Sequence, residues 1–160
     1  MDDMLTLSAH LPLVEFAPGD TVLREGAQAG AIWVLVSGAL HVHKGDMVVN
    51  VITQPGAVVG EISVLLNTTY GATVVATEHT VMRHAADGRA LLASDPAITT
   101  LVAMGLAERL NFVTTYLVDL KHQYGDAPGL SMIPDVLREL AQRQRPLARV
   151  GSARDPDPEY

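Results

Sequence analysis

The chain contains no cysteine. That excludes disulfide scaffolds, thiol nucleophiles, thiolate zinc sites and iron–sulfur clusters. It has only two lysines, Lys44 and Lys121, and a net charge of −7. A duplex-binding surface depends on Lys and Arg neutralising phosphates, so this balance argues against nucleic acid as the main partner. Long apolar runs are missing too. Ala31–Val36 and Ile62–Leu66 are among the longest, far short of the roughly 18 residues a spanning helix needs. The start, Met1-Asp2-Asp3-Met4, is acidic with no apolar stretch after it, so no secretory signal is expected. These absences predict a cytoplasmic protein that does not enter the membrane.

What remains is 160 residues, 48% apolar and 18% charged. That is globular composition and one domain's worth of chain. Residues 11–83 read as short strands between turn signals, the pattern of a sandwich or barrel. The expected strands are Val14–Phe16, Thr21–Leu23, Ala31–Val36, Ala39–His43, Met47–Thr53, Val58–Val59, Thr73–Ala76 and Thr80–Arg83. Pro18-Gly19-Asp20, Ser37-Gly38 and Pro55-Gly56 punctuate them, and Lys44-Gly45-Asp46 reads as a hairpin connection.

The period then changes. Arg89–Ala93 reads as a short helix. Ser94 or Asp95 is placed to cap a long one, with Pro96 in its first turn and its end near Gly125. Along it Leu106, Leu110, Val113, Leu117, Leu120 and Tyr124 alternate spacings of four and three, and Thr99 and Ala103 extend the row backwards. This is a heptad seam. Val102, Phe112 and Tyr116 lie off it. Two buried faces are expected, one on the sandwich and one on a second copy's helix. A single broad core-facing stripe is the other arrangement these residues allow. Residues 125–129 read as a linker, about 134–144 as an amphipathic helix, and the remainder as a polar, disordered tail.

The chemistry-bearing stretch is Val59 to Ala76. Gly60 at the end of a strand allows close backbone approach to a ligand. A short helix from Glu61 would aim the N–H groups of Ile62 and Ser63 at an anion. The Glu61 carboxylate suits a ribose hydroxyl. The next strand begins at Gly71. This is the layout of a phosphate cradle inside a β-roll, and also of a plain structural crossover with a surface Glu.

Several segments resemble the cyclic nucleotide-binding domain, as found in bacterial catabolite activators and in protein kinase A regulatory subunits. They are Glu15–Gly26, Ile32–Val42, Gly60–Ser63 and Ala72–Ala76. The resemblance covers residues 12–124. It implies a mainly β fold with flanking helices: an eight-stranded antiparallel, jelly-roll-like β-roll plus a long C-terminal dimerisation helix. It also implies that Glu61 holds the ribose 2′-hydroxyl and that the amides of Ile62 and Ser63 meet the cyclic phosphate. The family's phosphate-binding Arg falls on Tyr70, with Gly71 after it. Arg donates two charge-assisted bonds through a planar fork, whereas Tyr offers one neutral hydroxyl. Losing a charged hydrogen bond costs roughly 1.5–3 kcal/mol, or about 10- to 100-fold in affinity. Arg24, Arg83 or Arg109 would have to compensate. Thr114 and Thr115 stand where the family's long helix caps the base.

Two other readings fail on the residues. His41 and His43, spaced i, i+2, suggest a metal-binding barrel, but no matched His follows on a later strand. A DNA-binding domain after the long helix finds too little chain and no basic excess in residues 125–160. The expectation is therefore a regulatory module with no catalytic residues, no metal and no cofactor. It would bind cyclic AMP or cyclic GMP, pair with a second copy and signal through a protein partner. The alternative is a scaffold of the same fold that binds no nucleotide.

Overall fold

A computed structural model describes residues 3–125 and 130–143. The elements run α1 (Met4–Leu7), β1 (Leu13–Phe16), β2 (Thr21–Leu23), β3 (Ile32–Ser37), β4 (Leu40–Lys44), β5 (Met47–Ile52), β6 (Val58–Val59), α2 (Glu61–Leu66), β7 (Thr73–Ala76), β8 (Thr80–Ala85), α3 (Gly88–Ser94), α4 (Pro96–Tyr124) and α5 (Ile133–Gln142). The eight strands form two antiparallel four-stranded sheets, ordered β1-β8-β3-β6 and β2-β7-β4-β5. This is the eight-stranded β-roll with flanking helices and a long helix that the resemblance implies.

Strand alternation builds two cores from β3. Ile32 and Val34 face a helical layer with Met4, Val64, Leu91, Ile98 and Val102. Leu35 faces the space between the sheets with Leu23, Leu40, Val59, Val74, Ala76 and Met82, where Trp33 also packs. A strand buried on both faces explains why Ala31–Val36 reads as an unbroken apolar run. Each such side chain contributes about 1.5–3 kcal/mol when buried.

Helix starts follow capping chemistry. The Asp87 carboxylate accepts from the Ala90 N–H at 2.9 Å at the head of α3, and that of Asp95 accepts from Ala97 N–H at 2.8 Å beside Pro96. Helix α1 escapes a sequence reading because four residues are too few for periodicity. Its N-cap Asp3 accepts from Thr6 N–H at 2.7 Å, a bond that holds the Asp3 carboxyl below its ordinary range.

Strand limits differ from expectation in β1 (from Leu13, not Val14), β3 (Ile32–Ser37), β4 (Leu40–Lys44), β5 (to Ile52, not Thr53) and β8 (to Ala85). β3 starts at Ile32, not Ala31, because both backbone polar groups of Ala31 are taken by the Tyr70 hydroxyl. β8 extends to Ala85, which pairs with Ile32. β4 includes Lys44, paired with Met47, so the hairpin loop is only Gly45-Asp46, with Gly45 at φ +57°. Lys44 is a strand residue rather than a turn residue.

The first compact unit ends at Ala107 and the second begins at Glu108, a division inside α4. In the first unit, Ile98 and Val102 bury the start of α4, with Leu101 and Leu106 packed around them. In the second, Leu110, Val113, Phe112, Tyr116 and Tyr124 are exposed. The rings of Phe112 and Tyr116 stack at 6.3 Å. Residues 126–129 of the expected linker, residue 144 of the expected amphipathic helix and the expected tail from 145 lie outside the described residues. Among the described residues no single helix is long and apolar enough to cross a membrane.

Candidate functional site

The segment from β6 to β7 is set by one left-handed residue. Gly60 has φ +91° and turns the chain from β6 directly into α2. A Cβ there would lie 2.7 Å from the Ala31 carbonyl oxygen and 3.4 Å from the Tyr70 ring, so only Gly fits. The turn places Glu61 and Ser63 inward, at 2% and 7% relative exposure, while Ile62 points outward. Asn67 ends α2 in the left-handed region, its N–H on the Val64 carbonyl.

Tyr70 then comes back under the cassette. Its ring packs in the inter-sheet core at 8% exposure. Its hydroxyl donates to the Ala31 carbonyl at 3.0 Å and accepts from the Ala31 N–H at 3.1 Å. Its own backbone is equally engaged: Tyr70 N–H donates to Ala27 C=O at 2.9 Å, and Gly26 N–H donates to Tyr70 C=O at 2.8 Å. Four hydrogen bonds therefore tie one residue to the loop between β2 and β3. That loop continues to α3, because Gly88 N–H donates to Gly30 C=O at 2.7 Å. The phenol is a structural anchor whose donor and acceptor are spent within the chain.

The remaining residues fall as follows. Gly71 is exposed, with nothing within 4 Å of where a Cβ would stand. Thr114 is half-buried and Thr115 exposed on the part of α4 that belongs to the second unit. Arg83 is spent elsewhere: its Nη1 donates to the carbonyls of Ala9 at 2.9 Å and Leu11 at 3.2 Å, pinning the segment before β1. Arg24 is exposed just past β2, and Arg109 belongs to the second unit. The His41 and His43 rings lie 6.1 Å apart on β4. Among the described residues no three His, Asp or Glu side chains gather to hold a metal. A cleft of about 420 Å³, walled by His10, Leu11, His84, Asp87, Leu91 and Ser94 among others, shares no residue with the cassette.

Two residues at the cassette's end were not singled out by sequence. The Lys44 ammonium donates to the Gly71 carbonyl at 3.1 Å. Glu25 donates its N–H to Thr73 Oγ1 at 2.9 Å and accepts from Gly45 N–H at 3.0 Å. The signal for both was the pairing of β4 and β2 with β7, which local pattern does not reveal.

Residues 13–91 match the family model of the cyclic nucleotide-binding domain. These residues belong to that family. The regulatory subunit of a cAMP-independent protein kinase A from Trypanosoma brucei is 26% identical, with 70% of this chain and 41% of that one covered and a TM-score of 0.55. The N-terminal domain of a transcriptional regulator from Streptomyces coelicolor A3(2) is 25% identical, with 71% and 86% covered and a TM-score of 0.51. A structure from a cyclic-GMP-dependent signalling pathway of bacterial phytopathogenesis shares the fold at 21% identity, with 67% and 91% covered and a TM-score of 0.57. No curated protein matches the chain.

Tyr70→Phe keeps the ring and removes the hydroxyl, stranding the N–H and C=O of Ala31. Urea unfolding is expected to show a loss of about 1–3 kcal/mol. An unchanged midpoint would mean that the hydroxyl does not hold the loop.

Proposed function

We propose that this chain is a regulatory module that reads a cyclic purine nucleotide and passes the signal on by assembly rather than by chemistry. The observation that carries the reading is the Gly60–Glu61 turn. It sets a buried carboxylate at the head of the cassette. A carboxylate accepts through about four lone-pair sites, enough for a ribose hydroxyl besides its partners in the chain. The ligand would be cyclic AMP or cyclic GMP, at Gly60, Glu61, Ile62, Ser63 and Gly71.

The second reading is a scaffold of the same fold that binds no nucleotide. The sealed Tyr70 hydroxyl favours it, because position 70 presents no group to a phosphate. The regulatory subunit of a cAMP-independent protein kinase A among the similar structures is in keeping with it. In either reading we infer that α4 pairs with α4 of a second copy. Leu110, Val113 and Tyr124 repeat at heptad spacing and stay exposed within their own unit, and buried a/d seams are what such helices form.

Two measurements test this. Calorimetric titration of the full chain is expected to show saturable binding of cyclic AMP or cyclic GMP, weakened about 10-fold or more by Glu61→Gln. Heat traces flat for both nucleotides would leave the scaffold reading. Sedimentation is expected to show a dimer that Leu110→Asp with Leu117→Asp converts to monomer. A monomeric wild type would remove the paired helix.

A further inference from the structure

A cyclic nucleotide carries one negative charge, and the cassette offers the buried Glu61 and a neutral, sealed Tyr70. The cation must then come from outside the cassette. Arg83 is held by the N-terminal segment.

We propose that Lys44 is the cationic contact for the nucleotide's phosphate at this site, taking over on strand β4 the charge that position 70 does not supply. The inference rests on the nucleotide-binding reading above and names the residue that would make it work. Three observations place Lys44 there. First, its Nζ lies 3.1 Å from the carbonyl oxygen of Gly71, the residue next to Tyr70. Second, β4 pairs with β7 as Leu40↔Ala76, Val42↔Val74 and His43↔Thr73. Leu40 and Val42 pack into the inter-sheet core. Lys44 follows as the last residue of β4, one position beyond the His43↔Thr73 pair and past a register irregularity between Val42 and His43 in the β4–β5 pairing. Third, nothing lies within 4 Å of where a Cβ on Gly71 would stand, and Lys44 is itself exposed.

The charge is available. Lys44 makes no ion pair among the described residues. At the same hairpin the Glu25 carboxylate accepts from the Gly45 N–H. An ammonium has three donors, so one can stay on Gly71 while the others meet phosphate oxygens. A lysine acts as a point charge rather than a planar fork. It makes fewer demands on orientation than an arginine and can serve from a strand end.

The test is titration of the full chain and of Lys44→Gln and Lys44→Arg with cyclic AMP and cyclic GMP, at low and high salt. Gln keeps an N–H donor but carries no charge. We expect Lys44→Gln to weaken the better-bound nucleotide about 10-fold or more and to flatten the salt dependence of binding. Lys44→Arg should retain both. If Lys44→Gln binds as tightly as wild type, with the same salt dependence, the phosphate finds its charge elsewhere: this inference fails and the nucleotide reading stands. Equal weakening in Gln and Arg would make the residue merely structural and also overturn it. If wild type binds neither nucleotide, the nucleotide reading fails and takes the inference with it.

Discussion

The Tyr70 hydroxyl, seated between the C=O and N–H of Ala31, is the contact on which the rest of this site depends. It joins the cassette to the β2–β3 loop, and through Gly30 to the first residue of α3. It sets where β3 begins, because Ala31 has no backbone group left for the sheet ladder. It also accounts for Gly60: the phenol ring and the Ala31 carbonyl crowd the space that any side chain at position 60 would need. A buried hydroxyl satisfied at both ends is worth more as a fastener than as a ligand contact, since withdrawing it would strand two backbone groups.

That choice shifts the electrostatics of the pocket. The family's arginine brings charge to position 70, whereas the tyrosine brings none. Glutamate and a neutral phenol supply no positive charge to a phosphate. In an acidic chain with two lysines, the presence of one of them on the carbonyl of residue 71 is the feature that reconciles the retained Glu61 with the lost arginine. The same fold thus supports a sensor with its charge moved to another strand, or a scaffold whose cassette has become structural.

Much of the fold is legible in the residues because its punctuation is local. Gly19, Gly38, Gly45, Gly56 and Gly60 all take positive φ, and each marks a turn that composition already suggests. Heptad spacing announces α4, and the Gly60-Glu61-Ile62-Ser63 run announces the cassette. What stays hidden is non-local. Nothing near Ala31 signals that its polar groups belong to a residue 39 positions away. Lys44 reads as part of a turn until its pairing with Met47 and its position beside β7 are known. Tyr70 is visible as a departure from the family, but its sequence does not say whether the ring faces the ligand or the core. The burial of Glu61 behind the Gly60 turn is likewise a product of packing.

The most direct measurement is a crystal structure of the full chain grown with cyclic AMP or cyclic GMP. The account predicts Tyr70 unmoved, its hydroxyl still on both Ala31 groups, with the ribose at Glu61 and the phosphate beside Lys44. A Tyr70 swung out of the core, with its hydroxyl on the phosphate, would contradict it.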